Sequence, residues 1–315
     1  MKKISICVLC FNEEDNIELM YKAITAEMIR IPEYDYEIIF EDNNSQDASQ
    51  DILRKIAEKD KKVKIILNQT NFGPNRSAVN LMMRMSGDAF LGMPCDFQEP
   101  PEMIPQLIKE WEKGYDIVWG QKVRSKENTF KRICRNIFYL IIDLFSDKKQ
   151  YRHITGFGIQ DRKVIEIIMD TVKQDPEINM RYVVSDYGFK IKLLPYVQQK
   201  RLRGKSSYTF TKYYAFAIAS LCYTSIKPLR LMTIIGMLTA FFSIIVALFY
   251  LIYKITHWYS FDAGLAPLVI GMFFVAAVQL FSIGLLGEYV GILIRKVTDK
   301  PVVVEKETIN FEEEK

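Results

Sequence analysis

Two long stretches of this 315-residue chain hold no charged residue, Leu231 to Tyr253 and Ala263 to Gly287. Each exceeds the roughly 20 residues that cross a hydrocarbon core of about 30 Å. Two such runs back to back are unlike the core helices of a soluble protein. They predict a membrane hairpin with spans over about 231–253 and 263–290. Lys227 and Arg230 precede the first run, and Arg295, Lys296 and Lys300 follow the second. The connecting loop has only Lys254, offset by Asp262, with Trp258 and Tyr259 suited to headgroups. The positive-inside rule then places both termini on the cytoplasmic side of the cytoplasmic membrane. Glu288 falls at the cytoplasmic end of the second span, where a carboxylate is tolerated better than at mid-bilayer. Gly271, Gly284, Gly287 and Gly291 would permit close helix contacts, within the hairpin or in a homo-oligomer.

Ahead of the hairpin the pattern is that of an α/β domain. Short apolar runs rich in β-branched or aromatic residues lie at Ile4–Phe11, Tyr36–Phe40, Val63–Leu67, Ala89–Met93 and Ile117–Trp119. Helical stretches alternate with them at Asn16–Met28, Ala48–Lys59, Pro74–Met85 and Met103–Lys113. That order predicts a mostly parallel sheet with helices on both faces and a ligand site at the carboxyl ends of the strands. Three polar clusters fall at those ends: Asn12-Glu13-Glu14, Glu41 to Ser45, and Asp96 to Glu99. The first apolar run is strand-length and is followed at once by acids, which reads as a strand and not as a signal peptide.

Absent patterns narrow the function. No GxGxxG follows a strand and no GxxxxGK[ST] occurs, so neither a dinucleotide fold nor a P-loop is supported. Five cysteines, an odd number, indicate no disulfide framework, and the CxxC of Cys7 and Cys10 lies inside an expected buried strand. The net charge of +4 is unremarkable, and no nucleic-acid partner is expected. Its distribution is more telling: six basic residues face one acid between Lys122 and Arg135, and seven basic residues face none between Lys190 and Lys212. The stretches about 129–145 and 208–228 read as basic or aromatic amphipathic helices able to lie in the membrane interface. The acidic end, Glu305 to Lys315, reads as a solvated cytoplasmic tail.

At the strand ends, Asp42 and its neighbours could bind a base or ribose, or serve as a helix cap. Asp96 with Gln98 could hold Mg²⁺ or Mn²⁺ through oxygen, or shape a turn before Pro100-Pro101. The basic loop Arg201 to Tyr208 suits phosphate oxygens or anionic lipid.

In order and spacing these pieces resemble the family 2 polyprenyl-phosphate glycosyltransferases of the dolichol-phosphate mannose synthase type, here the bacterial undecaprenyl-phosphate kind. The resemblance rests on Cys10-Phe11-Asn12-Glu13-Glu14-Asp15-Asn16, Glu41-Asp42-Asn43-Asn44-Ser45-Gln46-Asp47 and Asn71-Phe72-Gly73. It continues through Ser86-Gly87-Asp88, Asp96 to Glu102, Thr155-Gly156-Phe157-Gly158 with Asp161-Arg162, and Arg201-x-x-Gly204-x-Ser206-x-Tyr208. It implies a GT-A (nucleotide-diphospho-sugar transferase) domain over 1–207 that moves a sugar from a nucleotide-sugar donor, by preference a UDP-sugar, to polyprenyl phosphate. Phe11, Glu13, Asp42 and Asn44 would line the nucleotide, Asp96 and Gln98 would meet metal and diphosphate, and Arg201 and Ser206 the phosphates. Lys122, Arg124, Arg132 and Arg135 would receive the acceptor phosphate.

Four positions depart from the family pattern: Cys10 for its opening proline, Pro94 for the first aspartate of D-x-D, Gly158 for a frequent arginine, and Ser207 for lysine. Two other readings share the fold. One is a non-catalytic scaffold that binds the lipid carrier. The other is a processive polysaccharide synthase, whose Q-x-x-R-W signature Gln198 to Leu202 approaches without the tryptophan.

Overall fold

A computed structural model describes residues 1–124, 151–174, 180–185, 187–199, 225–257, 265–298 and 300–311, with 140, 143–145 and 221–223 besides. The chain divides into two compact units: 1–140, 148–209 and 298–315 form one, and 141–147 with 210–297 the other.

The first unit is built on an eight-stranded sheet. Its strands are β1 (Lys3–Cys10), β2 (Asp35–Asp42), β3 (Val63–Asn68), β4 (Ala89–Pro94), β5 (Ile117–Arg124), β6 (Ile154–Asp161), β7 (Ile191–Val197) and β8 (Glu305–Ile309), in the order β7-β5-β6-β4-β1-β2-β3-β8. β1 pairs in parallel with β2 and β4, and β2 with β3. β6 runs antiparallel between β4 and β5, so those two run the same way, and β7 joins β5 in parallel. Six carboxyl ends therefore emerge at one edge. The helices are α1 (Ile17–Ile29), α2 (Ser49–Lys59), α3 (Pro74–Arg84), α4 (Ile104–Glu112), α5 (Arg162–Gln174) and the short α6 (Met180–Val184).

Alternation along the strands separates two cores. Ile4, Ile6, Val8, Ile38 and Phe40 face one way, against Ile17, Met20 and Ile24 of α1, Leu53 of α2 and Leu107 of α4. Cys7 and Ile39 face the other way, with Leu81 and Met82 of α3 and Ile165 of α5. Covered on both sides, the central strands are almost continuously apolar, as parallel strands require. Among the polar residues buried in these strands, Glu37 is held by Ser5, Ser86, Lys3 and Lys64.

The acidic end is not a solvated tail. Residues 305–309 form β8, antiparallel to β3, and the segment before it is fastened as well. Arg76 donates to the carbonyls of Pro301 and Val302, and Gln69 N–H to that of Val304. Glu307 pairs with Arg54 of α2 and Glu305 with Arg84 of α3. The acids are neutralised by partners far away in sequence, which local charge patterning cannot reveal.

The second unit contains α7 (Lys227–Thr256) and α8 (Leu265–Val297), both long and apolar enough to cross a membrane. The Tyr289 hydroxyl near the end of α8 donates to the carbonyl of Ser225 just before α7, at 2.7 Å, so the two helices are antiparallel. Their large apolar side chains, such as Phe241, Phe242, Phe273 and Leu280, are exposed, as lipid-facing residues would be.

Candidate active site

Lateral register brings the three polar clusters together. Cys10 at the end of β1 lies opposite Asp42 at the end of β2, and Leu9 opposite Pro94 at the end of β4. Each strand then turns through a residue with positive φ: Asn12 at 54°, Asn44 at 63° and Phe97 at 58°. Such backbone is sparsely populated for side chains other than glycine, and its concentration on one rim marks a constrained site.

The first two clusters brace each other. Asn12 N–H donates to Ser45 Oγ (2.8 Å), and Asn12 Oδ1 accepts from Gln46 N–H (2.9 Å). Glu13 N–H donates to Ser49 Oγ (3.0 Å), and Glu14 Oε2 accepts from Ala48 N–H (2.8 Å). Asp42 is fully buried; it accepts from Ser45 N–H and Oγ and from Gln50 Nε2, holding its own loop in shape. Glu13 is buried as well, with Oε2 on Asn16 Nδ2 and its carbonyl capping the start of α1. Phe11 is exposed and Asn44 half-buried beside them. Buried acids shape this loop and Phe11 and Asn44 lie nearer the surface; α2 starts after Ala48 without a side-chain cap, and Asp47 Oδ1 accepts from Ser49 N–H at 3.0 Å.

The third cluster is tied to a different partner. Asp96 Oδ1 accepts from Gln98 N–H at 3.1 Å, closing the turn on Phe97. Gln98 is met by the strand end across from it: Gln199 N–H donates to its carbonyl (3.1 Å) and Gln198 Nε2 to its Oε1 (3.3 Å). Glu99, buried, accepts from the Tyr196 hydroxyl of β7 at 3.0 Å, and that hydroxyl lies 3.3 Å from Thr155 Oγ1 of β6. Burial pushes the Glu99 carboxyl up, and nearby Asp96 adds to this, while Lys122 acts the other way. Lys122 of β5 is thus close enough to feel this turn.

Glu99 and Tyr196 are site-shaping residues that motif reading passed over. Glu99 belongs to the Asp96 to Glu102 motif, where pattern assigns it no role, and Tyr196 stands in a basic segment whose pattern predicts no strand. Lys122 and Arg124 fall at the same edge, at the end of β5. Arg132, Arg135, Arg201 and Ser206 lie outside the described residues, as do most of the stretches 129–145 and 208–228.

The rim suits a divalent cation shared with a ligand better than a closed protein site. Asp96 offers a carboxylate and Pro94 none. Among the described residues no group of three or more His, Cys, Asp or Glu could enclose an ion. Mg²⁺ commonly takes one or two carboxylates and completes its shell with phosphate and water.

Gly158 has φ of 150°, and a Cβ there would lie 2.2 Å from the Val118 carbonyl oxygen. No arginine fits at that position in this sheet, so its absence is built into the β5–β6 pairing.

Residues 5–167 match the family described as "Glycosyl transferase family 2". The chain is 30% identical over 309 residues to the SfII prophage-derived bactoprenol glucosyl transferase of Shigella flexneri, covering 97% of this chain and 98% of that one. It is 31% identical over 292 residues to the bactoprenol glucosyl transferase of Shigella phage SfV, covering 92% and 93%. It is also 25% identical over 304 residues to the undecaprenyl-phosphate 4-deoxy-4-formamido-L-arabinose transferase of Photorhabdus laumondii, covering 96% and 92%.

Proposed function

Because the chain belongs to glycosyl transferase family 2, we propose that it is a membrane-anchored inverting glycosyltransferase moving a sugar from a nucleotide-sugar donor to polyprenyl phosphate. The observation that carries this reading is the full-length likeness to bactoprenol glucosyl transferases, hairpin included. A lipid-bound acceptor also explains why a nucleotide-sugar fold should carry two membrane-length helices.

The reaction joins a phosphate oxygen of the acceptor to the anomeric carbon of the sugar. The bond from that carbon to the donor diphosphate breaks, and the nucleoside diphosphate leaves with the electron pair. A phosphate monoester has its second pKa near 6, so the acceptor arrives mostly dianionic and needs no strong base. The chain's work is positioning and charge stabilisation. Phe11, Asn44 and the loop shaped by Glu13 and Asp42 seat the nucleotide. Asp96 and Gln98 face the diphosphate and would hold Mg²⁺ or Mn²⁺, which when bound neutralises charge on the departing group. Lys122 and Arg124, with Arg132, Arg135, Arg201 and Ser206 beyond, supply the positive surroundings for the two phosphate groups. Attack opposite the leaving group turns an α-linked donor into a β-linked polyprenyl-monophosphate sugar, a carrier for cell-envelope glycan.

Membranes holding the protein, given undecaprenyl phosphate and a panel of radiolabelled nucleotide sugars, test this. The expected product is a lipid-extractable, mild-acid-labile label that requires a divalent cation. Asp96→Ala should lower the rate by about a hundredfold or more. No label with any donor would overturn the reading in favour of a carrier-binding scaffold, and long polymer would favour a polysaccharide synthase.

A further inference from the structure

β8 reaches the donor side of the sheet through a buried polar relay. Its pairing with β3 contains an irregularity: Leu67 lies opposite Glu307, but the next residue, Asn68, lies opposite Glu305. One extra residue in a strand reverses the face that later side chains take. Glu307 therefore turns to Arg54 of α2 on one side of the sheet, and Glu305 to Arg84 and Asn80 of α3 on the other.

From Glu305 the contacts are continuous. Asn80 Nδ2 donates to Glu305 Oε1 (2.9 Å) and approaches Glu41 Oε2 (3.4 Å). Glu41 Oε1 accepts from Asn68 Nδ2 (2.7 Å), which also donates to Asn43 Oδ1 (3.1 Å). Asn43 Oδ1 takes two further donors, Ser77 Oγ (2.9 Å) and the backbone N–H of Phe72 (3.3 Å). Glu41, Asn68 and Ser77 are fully buried, and Asn43 and Asn80 nearly so. Asn43 stands between Asp42 and the positive-φ Asn44, and Phe72 immediately precedes Gly73, whose φ of 84° opens α3.

We infer that β8, the strand that follows the membrane hairpin, is a positioning element for the donor site: Glu305, through Asn80, Glu41 and Asn68, fixes Asn43 and with it the loops 42–45 and 71–73. The inference rests on the nucleotide role proposed above for the 42–45 loop. Burial pushes the Glu41 carboxyl up to about 8 against the pull of its bonds to Asn68, Ser77 and Asn80. Its partners are neutral amides and a hydroxyl, an arrangement that fixes direction more than it adds stability. Glu305 stands at the far end of this chain of contacts from the 42–45 loop, so its influence on that loop is on geometry.

The test uses the full chain in lipid nanodiscs as wild type, Glu305→Ala and Glu305→Gln. Glutamine keeps an oxygen for Asn80 but loses the ion pair to Arg84, so it separates the relay from the salt bridge. Glu305→Ala should raise the donor KM about five- to tenfold with the acceptor KM unchanged, and Glu305→Gln should restore most of it. Hydrogen exchange at the Phe72 amide should quicken in Glu305→Ala and stay near wild type in Glu305→Gln. Equal changes in both KM values, or identical Phe72 exchange in all three proteins, would overturn the relay. Were the wild type inactive with every donor, the proposed activity would fail while the exchange measurement still decided the relay.

Discussion

Glu37 shows how one residue can hold the sheet together away from the site. It sits near the amino end of β2, the edge opposite the active-site rim, and is almost wholly buried. Burial alone would raise its carboxyl, but hydrogen bonds from Lys64, Ser5 and both donors of Ser86 outweigh that and bring it to about 2. The folded value lies below the ordinary glutamate value of about 4.3. The stabilisation is therefore complete above that ordinary value and is lost as pH falls toward 2. Glu37→Gln leaves the Lys64 ammonium without its counter-ion in a mostly buried place, at a cost of about 3 kcal/mol near neutrality. Thermal unfolding followed by tryptophan fluorescence should show a clearly lower midpoint for the variant at pH 7. The gap should narrow steadily between pH 4.5 and 3. A gap independent of pH would mean that packing, and not charge, is what Glu37 provides.

At the scale of elements, the strands that sequence pattern revealed are those whose both faces are covered. β1 to β4 are continuous apolar runs, and their expected positions agree with the structure to within a few residues. The three later strands escaped for separate reasons. β6 carries Gly156 and Gly158, which interrupt an apolar run; β7 contains Pro195, tolerated because it is a sheet edge. β8 begins with three successive charged residues, Glu305, Lys306 and Glu307, and reads as tail until Arg54 and Arg84 are seen. The same division holds for the site. Asp42 and Asp96 follow directly from strand ends, whereas Tyr196 is brought to Glu99 by a strand that had not been expected.

Gly158 offers a test of how tightly β6 is fitted. An added methyl meets the Val118 carbonyl oxygen at 2.2 Å, and a side chain at φ of 150° is strained even in open space. Gly158→Ala should cost about 3 kcal/mol and lower the unfolding midpoint by roughly 6–12 °C. A midpoint within 2 °C of wild type would show that β5 and β6 can separate locally without loss.

For the whole molecule, β8 constrains topology in a way the hairpin alone does not. Residues 1–124 and 300–311 belong to one folded unit, so they lie on the same side of any membrane. The chain between them must cross an even number of times. At 1.5 Å per residue, the 30 residues of α7 and 33 of α8 extend about 45 and 50 Å, ample for a core of about 30 Å. Positive charge gathers where the chain enters α7 and leaves α8, so the outcome expected of a labelling experiment is two full crossings with the first unit on the cytoplasmic side. Cysteine labelling in intact cells decides the matter. The native Cys7, Cys10, Cys95 and Cys222 are buried, so background reaction is low once Cys134 is replaced by serine. Ser260→Cys, in the connection between the helices, should react with a membrane-impermeant maleimide in intact cells. Lys306→Cys, on the exposed side of β8, should react only after permeabilisation. If both sites stay hidden until permeabilisation, the hairpin enters and leaves by the same face. It would then anchor the enzyme without crossing, and the lipid phosphate would be met by a re-entrant wedge.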